Sequence, residues 1–172
     1  MSELEFEKCL KEIDSGNKNS LKKIYDNYAH SVYSYALSIV KNQHLAEDIC
    51  QDVFVKVWNN SSKFKNKGKP KSWIMTMTRN TSIDYLRKYK KEDIKESFDI
   101  KEDIDMTDEI HNKITINEAM ISLHDDEREI VILHLISDLT FKSIGEILGK
   151  PLGTVTWRYR EGIKKLRSKM SL

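Results

Sequence analysis

The stretch Leu139-Thr140-Phe141-Lys142-Ser143-Ile144-Gly145-Glu146-Ile147-Leu148-Gly149-Lys150-Pro151-Leu152-Gly153-Thr154-Val155-Thr156-Trp157-Arg158-Tyr159-Arg160 decides how the chain is read. Ile144, Leu148 and Val155 are spaced to supply apolar contacts between two crossing helices. Gly145 stands where a larger side chain would hold those helices apart, and Gly149 is placed to end the first of them, because glycine accepts the left-handed backbone of a helix stop. Pro151 lacks an N–H and cannot continue that helix, so a second one must begin afresh, with Gly153 or Thr154 near its cap. The second helix carries Thr156, Arg158, Arg160, Lys164, Lys165, Arg167 and Lys169. An exposed helix with this charge fits a major groove and grips phosphates. The stretch therefore reads as a helix-turn-helix, against the plainer alternative of a helical hairpin with a basic outer face.

Composition sets the frame. A chain of 172 residues with 39% hydrophobic content fills one ordinary domain or two small ones. It contains only 6 Gly and 2 Pro, and its apolar residues recur at three- and four-residue spacing, which predicts an all-α fold. The start Met1-Ser2-Glu3-Leu4-Glu5 lacks the basic and apolar parts of a signal peptide, and no apolar run is long enough to span a membrane, so a cytoplasmic protein is expected. Cys9 and Cys50 have no ligand spacing and read as buried thiols. His30, His44, His111, His124 and His134 share no catalytic or metal spacing. No catalytic residue, metal, cofactor or small-molecule substrate is therefore expected, and the chain reads as a binding protein rather than an enzyme.

The formal net charge of +2 conceals strong blocking. Residues 61–91 hold 10 basic and 1 acidic groups, whereas residues 92–129 hold 4 basic and 14 acidic groups. Residues 130–172 return to 8 basic and 3 acidic groups. Two basic surfaces flanking an acidic connector point to two contacts along one polyanion.

Periodicity places helices at about Ser20–Val40, His44–Asn59 and Ser72–Tyr89, and again through Ile130–Ile136. The second of these leaves Glu47, Asp48, Gln51, Asp52 and Lys56 outside. The intervening loop Asn60-Ser61-Ser62-Lys63-Phe64-Lys65-Asn66-Lys67-Gly68-Lys69-Pro70-Lys71 is rich in lysine, and the third helix leaves Arg79, Asn80 and Arg87 outside. Lysines with interleaved aromatics fit the chemistry of single-strand binding, in which charge tracks the backbone and rings stack on bases. On that reading Phe64 contacts bases, while Trp73 and Tyr85 taken alone favour the core. Asp125 or Asp126 is placed to cap the helix that follows.

These motifs together, Ala46-Glu47-Asp48-Ile49-Cys50-Gln51-Asp52-Val53-Phe54-Val55-Lys56-Val57-Trp58, then Trp73 with Arg79-Asn80 and Ile83-Asp84-Tyr85-Leu86-Arg87, then the helix-turn-helix, resemble the extracytoplasmic-function sigma factors over about residues 20–172. The resemblance implies a sigma-2-like domain at residues 1–91, an acidic linker at 92–112 and a sigma-4-like domain at 113–172. It implies that Asp48, Gln51, Asp52 and Lys56 bind core RNA polymerase. Contact with the −10 promoter element, opened to single strands, would fall to Lys63, Phe64, Lys65, Lys67, Lys69, Lys71, Trp73, Arg79, Asn80 and Arg87. Contact with the duplex −35 element would fall to Thr154, Thr156, Trp157, Arg158, Arg160 and Lys164. An anti-sigma factor is a further partner that the family admits. The chain departs from the family pattern at Thr156-Trp157-Arg158, where Lys-Ser-Arg is usual, and at Glu161, where a basic residue is common. A conventional helix-turn-helix repressor is the rival reading, but no coiled-coil heptad is present to make a dimer.

Overall fold

The computed structural model describes residues 1–64, 69–92, 119–120 and 122–169, and every regular element among them is helical. Seven helices are α1 (Glu3–Asp14), α2 (Lys18–Val40), α3 (Gln43–Asn59), α4 (Pro70–Glu92), α5 (Asp125–Leu135), α6 (Phe141–Leu148) and α7 (Leu152–Lys169). A single 3-10 turn, Ser61–Lys63, follows α3. None of these helices is long and apolar enough to cross a membrane.

Helix α1 lies in a region where the periodicity reading placed no helix. Its start is a capping box: the Ser2 hydroxyl accepts the Glu5 N–H at 3.2 Å, and the Glu5 carboxylate accepts the Ser2 N–H at 2.7 Å. Twelve residues are marginal as an isolated helix, so the element depends on burying Phe6, Cys9, Leu10 and Ile13 against α2. Asn17 caps α2 and Asn42 caps α3 through side-chain oxygens, and Lys41 between them takes a left-handed φ of 55°. Helices α2, α3 and α4 pack on one another around Ile24, Val32, Ala46, Ile49, Val53, Val57 and Ile74, all fully buried.

The buried face of α4 is unusually polar. The hydroxyls of the buried Thr78, Thr81 and Ser82, like that of the exposed Thr76, each donate to the backbone carbonyl four residues earlier, at 2.8–2.9 Å. Each thus satisfies its own donor within its own helix, and Thr81 alone among them also accepts from α3, through the Lys56 ammonium.

In the second group, α5 is opened by Glu127 rather than by Asp125 or Asp126, both of which sit within its first turn. Glu127 is the third helical residue, from which a carboxylate reaches back to the cap, and it accepts the His124 N–H at 3.1 Å. Helix α6 is capped by Thr140, whose hydroxyl accepts the Ser143 N–H at 3.2 Å, and it stops at Gly149 with φ of 65°. Helix α7 begins at Leu152, which puts Gly153 and Thr154 in its first turn rather than at the cap. Gly145 is required by the turn more than by the helix crossing: a Cβ there would lie 2.7 Å from the Lys150 carbonyl oxygen and 3.8 Å from the Val155 side chain.

The two groups pack directly on each other, α2 against α5 and α4 against α6, so that buried residues form one continuous cluster from Phe6 to Val155. Tyr35, fully buried, directs its hydroxyl at Glu129 across 3.5 Å. Ser31 donates to the Ile136 carbonyl at 3.2 Å, and Ser137 donates to the Met75 sulfur at 3.5 Å. The linker assigned from sequence falls almost wholly outside the described residues.

Gly145→Ala is expected to lower the unfolding free energy by about 1–2 kcal/mol, because the backbone clash with Lys150 exceeds the ~1 kcal/mol gained in helix propensity. Chemical denaturation of the two proteins, compared at matched conditions, measures it.

Candidate nucleic-acid interface

Two basic surfaces emerge, one on the α3–α4 side and one on α7. The first centres on a cavity of about 300 Å³, open to solvent and lined by Lys56, Asn60, Lys63, Trp73, Met77, Asn80 and Thr81. The turn after α3 brings Asn60 and Lys63 to its rim, and α4 supplies Trp73, Met77, Asn80 and Thr81 from successive turns of one face. An indole and a thioether beside amides and two ammonium groups form a lining that suits a planar, hydrogen-bonding, negatively tethered group such as an unpaired nucleotide.

This wall is held from behind by an aromatic cluster. Phe64 meets Trp73 edge-on at 5.0 Å, and Phe6 of α1 meets Phe64 at 5.4 Å and Trp73 at 6.2 Å. Asp14 accepts a hydrogen bond from the Ser61 hydroxyl at 2.9 Å, tying the same turn to the end of α1. Phe64 is thus partly buried support rather than the freely exposed ring expected from its loop position. Its partner, Phe6, belongs to the helix that the periodicity reading did not place.

Lys56 was grouped from sequence with the acidic face of α3, but its ammonium points the other way, into the cavity, and donates to Thr81 at 2.8 Å. Asp48 and Gln51 remain exposed, beside the half-exposed Val55. Asp52 is partly buried because it accepts the Tyr85 hydroxyl at 2.7 Å. That hydrogen bond, with burial and the Asp52 charge adding to it, pushes Tyr85 up to about 12, so the phenol stays protonated.

Three of the cations expected on this surface are already occupied. Arg79 is not outward-facing: its Nε lies 3.5 Å from the Glu129 carboxylate across the contact between the two groups. Burial pushes Glu129 up, the Arg79 charge opposing it. Lys69 pairs with Glu146 at 2.6 Å and Lys71 with Asp138 at 2.9 Å, and in each case the lysine's hydrogen bond holds the carboxyl below its ordinary value. Arg87 is exposed and pairs locally with Asp84 at 3.6 Å. Lys65 and Lys67 lie outside the described residues.

The second surface is the outer face of α7. Thr154, Arg160 and Lys164 are exposed, and Thr156 turns its hydroxyl back to the Leu152 and Gly153 carbonyls at 3.1 and 3.0 Å. Trp157 is 54% exposed, so it does not pack into the helical core; the Arg158 guanidinium lies over its ring at 4.8 Å. Lys165 faces inward instead, bonding both carboxylate oxygens of the buried Glu127 at 2.8 Å. Tyr159, Arg160, Ile163, Lys164 and Arg167 line a groove of about 430 Å³, with Tyr159 anchored edge-on to His134 at 4.9 Å. Asn60, Met77 and Thr81 of the first surface and Ile163 of the second are not singled out by the sequence pattern, since each acts through a helix face visible only once the neighbours are placed, whereas Arg167 belongs to the basic run already read on the second helix.

Two family models match in chain order: Sigma-70 region 2 over residues 24–92, and Sigma-70, region 4 over residues 119–168. The sequence is 28% identical to the extracytoplasmic-function RNA polymerase sigma factor SigW of Bacillus subtilis, covering 98% of each chain. It is also 28% identical to SigM of the same organism, covering 86% of this chain and 94% of that one. The fold matches the sigma factor RpoE of Bartonella quintana, solved with the anti-sigma factor NepR, at a TM-score of 0.76 with 22% identity over 88% of this chain and 96% of that chain. It also matches CnrH, solved with the cytosolic domain of CnrY, at a TM-score of 0.71 with 16% identity over 97% of each.

Removing Lys63 and Asn80 from the cavity rim, as Lys63→Ala/Asn80→Ala, is expected to weaken binding of a labelled DNA single strand about 10-fold or more, at a cost of about 1–3 kcal/mol. Fluorescence anisotropy at fixed salt reads it, and unchanged affinity would remove the cavity from the interface.

Proposed function

As a member of the extracytoplasmic-function group of the sigma-70 family, the chain is a transcription initiation factor, and we propose how its surfaces divide that work. Residues 1–91 bind core RNA polymerase through the exposed Asp48 and Gln51, with Asp52 and the neighbouring Val55 completing the acidic face of α3. The cavity between α3 and α4 receives an unpaired base of the −10 element. Lys63, Trp73 and Asn80 serve it from the rim and wall, and Lys65, Lys67, Lys69, Lys71 and Arg87 track the phosphates, while Arg79, expected among them, is directed at Glu129 instead. Lys56 is reassigned from the polymerase face to this cavity. Residues 113–172 read the −35 duplex through Thr154, Thr156, Trp157, Arg158, Arg160 and Lys164, and residues 92–112 join the two.

The observation that carries this reading is the cavity itself: a cationic rim around an indole wall, on the same chain as a helix-turn-helix with an outward basic face. Extruded bases that gain stacking and hydrogen bonds there offset the few kcal/mol lost per opened pair, so melting follows from binding. The protein performs no covalent chemistry on this account; nucleotidyl transfer belongs to the polymerase. It acts in the cytoplasm, and an anti-sigma factor, as in the complex solved for RpoE, is a fitting negative regulator. The dimeric-repressor reading finds no support in these relatives and leaves the α3–α4 cavity without a role.

In vitro transcription from fragmented genomic DNA with purified core polymerase tests the proposal. Starts that depend on the protein and share two spaced motifs are expected; duplex binding without new starts would favour the repressor. Arg158→Glu/Arg160→Glu is expected to abolish selective −35 binding, a loss of about 1–3 kcal/mol for each base-reading arginine, with polymerase association intact. Asp48→Lys/Gln51→Lys is expected to give the reverse pattern, weakening the polymerase complex about 10-fold or more while leaving helicity unchanged. Co-purification with core polymerase distinguishes the two.

A further inference from the structure

Trp157 is the most exposed aromatic side chain among the described residues, at 54%, and it stands in the second turn of α7. It shares an outward face with Gly153, Arg160 and Lys164, which follow one another at helical spacing and are all exposed. The Arg158 guanidinium lies 4.8 Å over the ring, and its Nε is buried with no hydrogen-bond partner among the described residues, so the indole rather than a carboxylate holds it. The stack restrains the ring and still leaves part of its surface bare. Glycine weakens a helix, yet neither backbone nor packing asks for one at 153: its φ is not left-handed, and a Cβ there would meet nothing within 4 Å. Side chains on a helix lean toward its N-terminus, so the indole leans toward Gly153, and the bare backbone there leaves room beside it for at least a methyl group.

We propose that this notch reads the 5-methyl group of a thymine in the major groove of the −35 duplex, which makes Gly153 and Trp157 a specificity-determining pair. The proposal rests on the reading of α7 as the −35 contact. A recognition helix meets base edges with its N-terminal residues, which is where the pair stands. Paired bases present edges rather than faces, and the apolar group that the major groove displays is the thymine methyl. An indole carried into that groove has no other apolar partner for its ring. The partly buried Glu161, one turn further on, borders the indole and repels phosphate, so the neighbour at this end of the helix is a base edge rather than the DNA backbone. One buried methyl sets the scale of the discrimination, about 3- to 5-fold in affinity.

The test uses holoenzyme assembled from the full chain and core polymerase, with randomised duplexes made in two forms, one with thymine and one with uracil, which lacks only the methyl. Sequencing of the bound fraction is expected to give a −35 motif with a thymine column that fades from the uracil pool while its other columns persist. On the best duplex, fluorescence anisotropy should show that replacing that one thymine by uracil weakens binding about 3- to 5-fold for the wild type and by less than about 2-fold for Trp157→Ser. Gly153→Ala separates contact from structure: it should raise the Tm, because alanine suits a helix better, and yet lose the thymine preference by filling the notch. Trp157→Phe, which keeps a ring, should keep the preference. Identical motifs from the two pools, or a thymine preference undiminished in Trp157→Ser or Gly153→Ala, overturns the proposal. So does a loss of affinity in Trp157→Ser that is equal for every base at that column, which would mark a backbone contact. A holoenzyme that enriches no −35 motif from either pool removes α7 from the −35 contact altogether, a failure distinct from a motif that ignores the methyl.

Discussion

The structure turns on a carboxylate largely withdrawn from water, with its side chain 14% exposed. Glu129 sits in the contact between the two helical groups, with the Tyr35 hydroxyl and the Arg79 guanidinium as its polar company, each 3.5 Å away. Burying an ionised carboxylate costs several kcal/mol unless paired and hydrogen-bonded, and these distances are long for either. Burial accordingly pushes Glu129 up and Tyr35 well above its ordinary value. Such an arrangement holds two bodies in register without welding them. The apolar contact around Tyr35 and Met75 supplies adhesion, and the imperfect charge contact limits it.

The α3–α4 cavity depends on a different constraint. Its indole wall is fixed by rings that come from three separate stretches of chain, Phe6, Phe64 and Trp73. Edge-to-face contacts of this kind fix orientation as well as bury area. The first helix, which contributes no residue to the cavity lining, therefore sets the angle of its wall through Phe6. The Tyr85–Asp52 hydrogen bond plays a similar part midway along α3, tying it to α4 through groups that would otherwise be solvated.

What could be read from sequence was whatever rested on local chemistry. Gly149, Pro151 and the basic run from Arg158 to Lys169 determine a stop, a restart and an outer face within a few residues of themselves, and the structure has all three. The spans of α2, α3 and α4 followed from apolar spacing in the same way. Helix α1 was legible too, in the pair Ser2 and Glu5 and in the spacing of Phe6, Cys9, Leu10 and Ile13, but its polar, acidic character weakened the pattern. The partners of Lys56, Arg79, Lys69 and Lys71 were not legible, because a cation's exposure depends on which carboxylate the fold delivers to it. Charge counted along the chain likewise could not say that Asp125, Glu127 and Glu129, part of an apparent acidic connector, are committed to Lys41, Lys165 and Arg79.

The hydroxyl ladder of α4 has a bearing on how such a protein tolerates genetic drift. Because Thr76, Thr78 and Ser82 donate to carbonyls that already accept from their own helix, loss of one of these hydroxyls strands no donor on a neighbouring element; Thr81 is the exception, since its hydroxyl also accepts from the Lys56 ammonium of α3. The buried Thr78, Thr81 and Ser82 are small side chains on a helix that packs against α2 and α3. Apart from Thr81, which lines the cavity and accepts from Lys56, the buried polar face of the scaffold is therefore insulated from loss of a hydroxyl. The cavity rim is free to vary under selection for a different base without the frame having to be rebuilt.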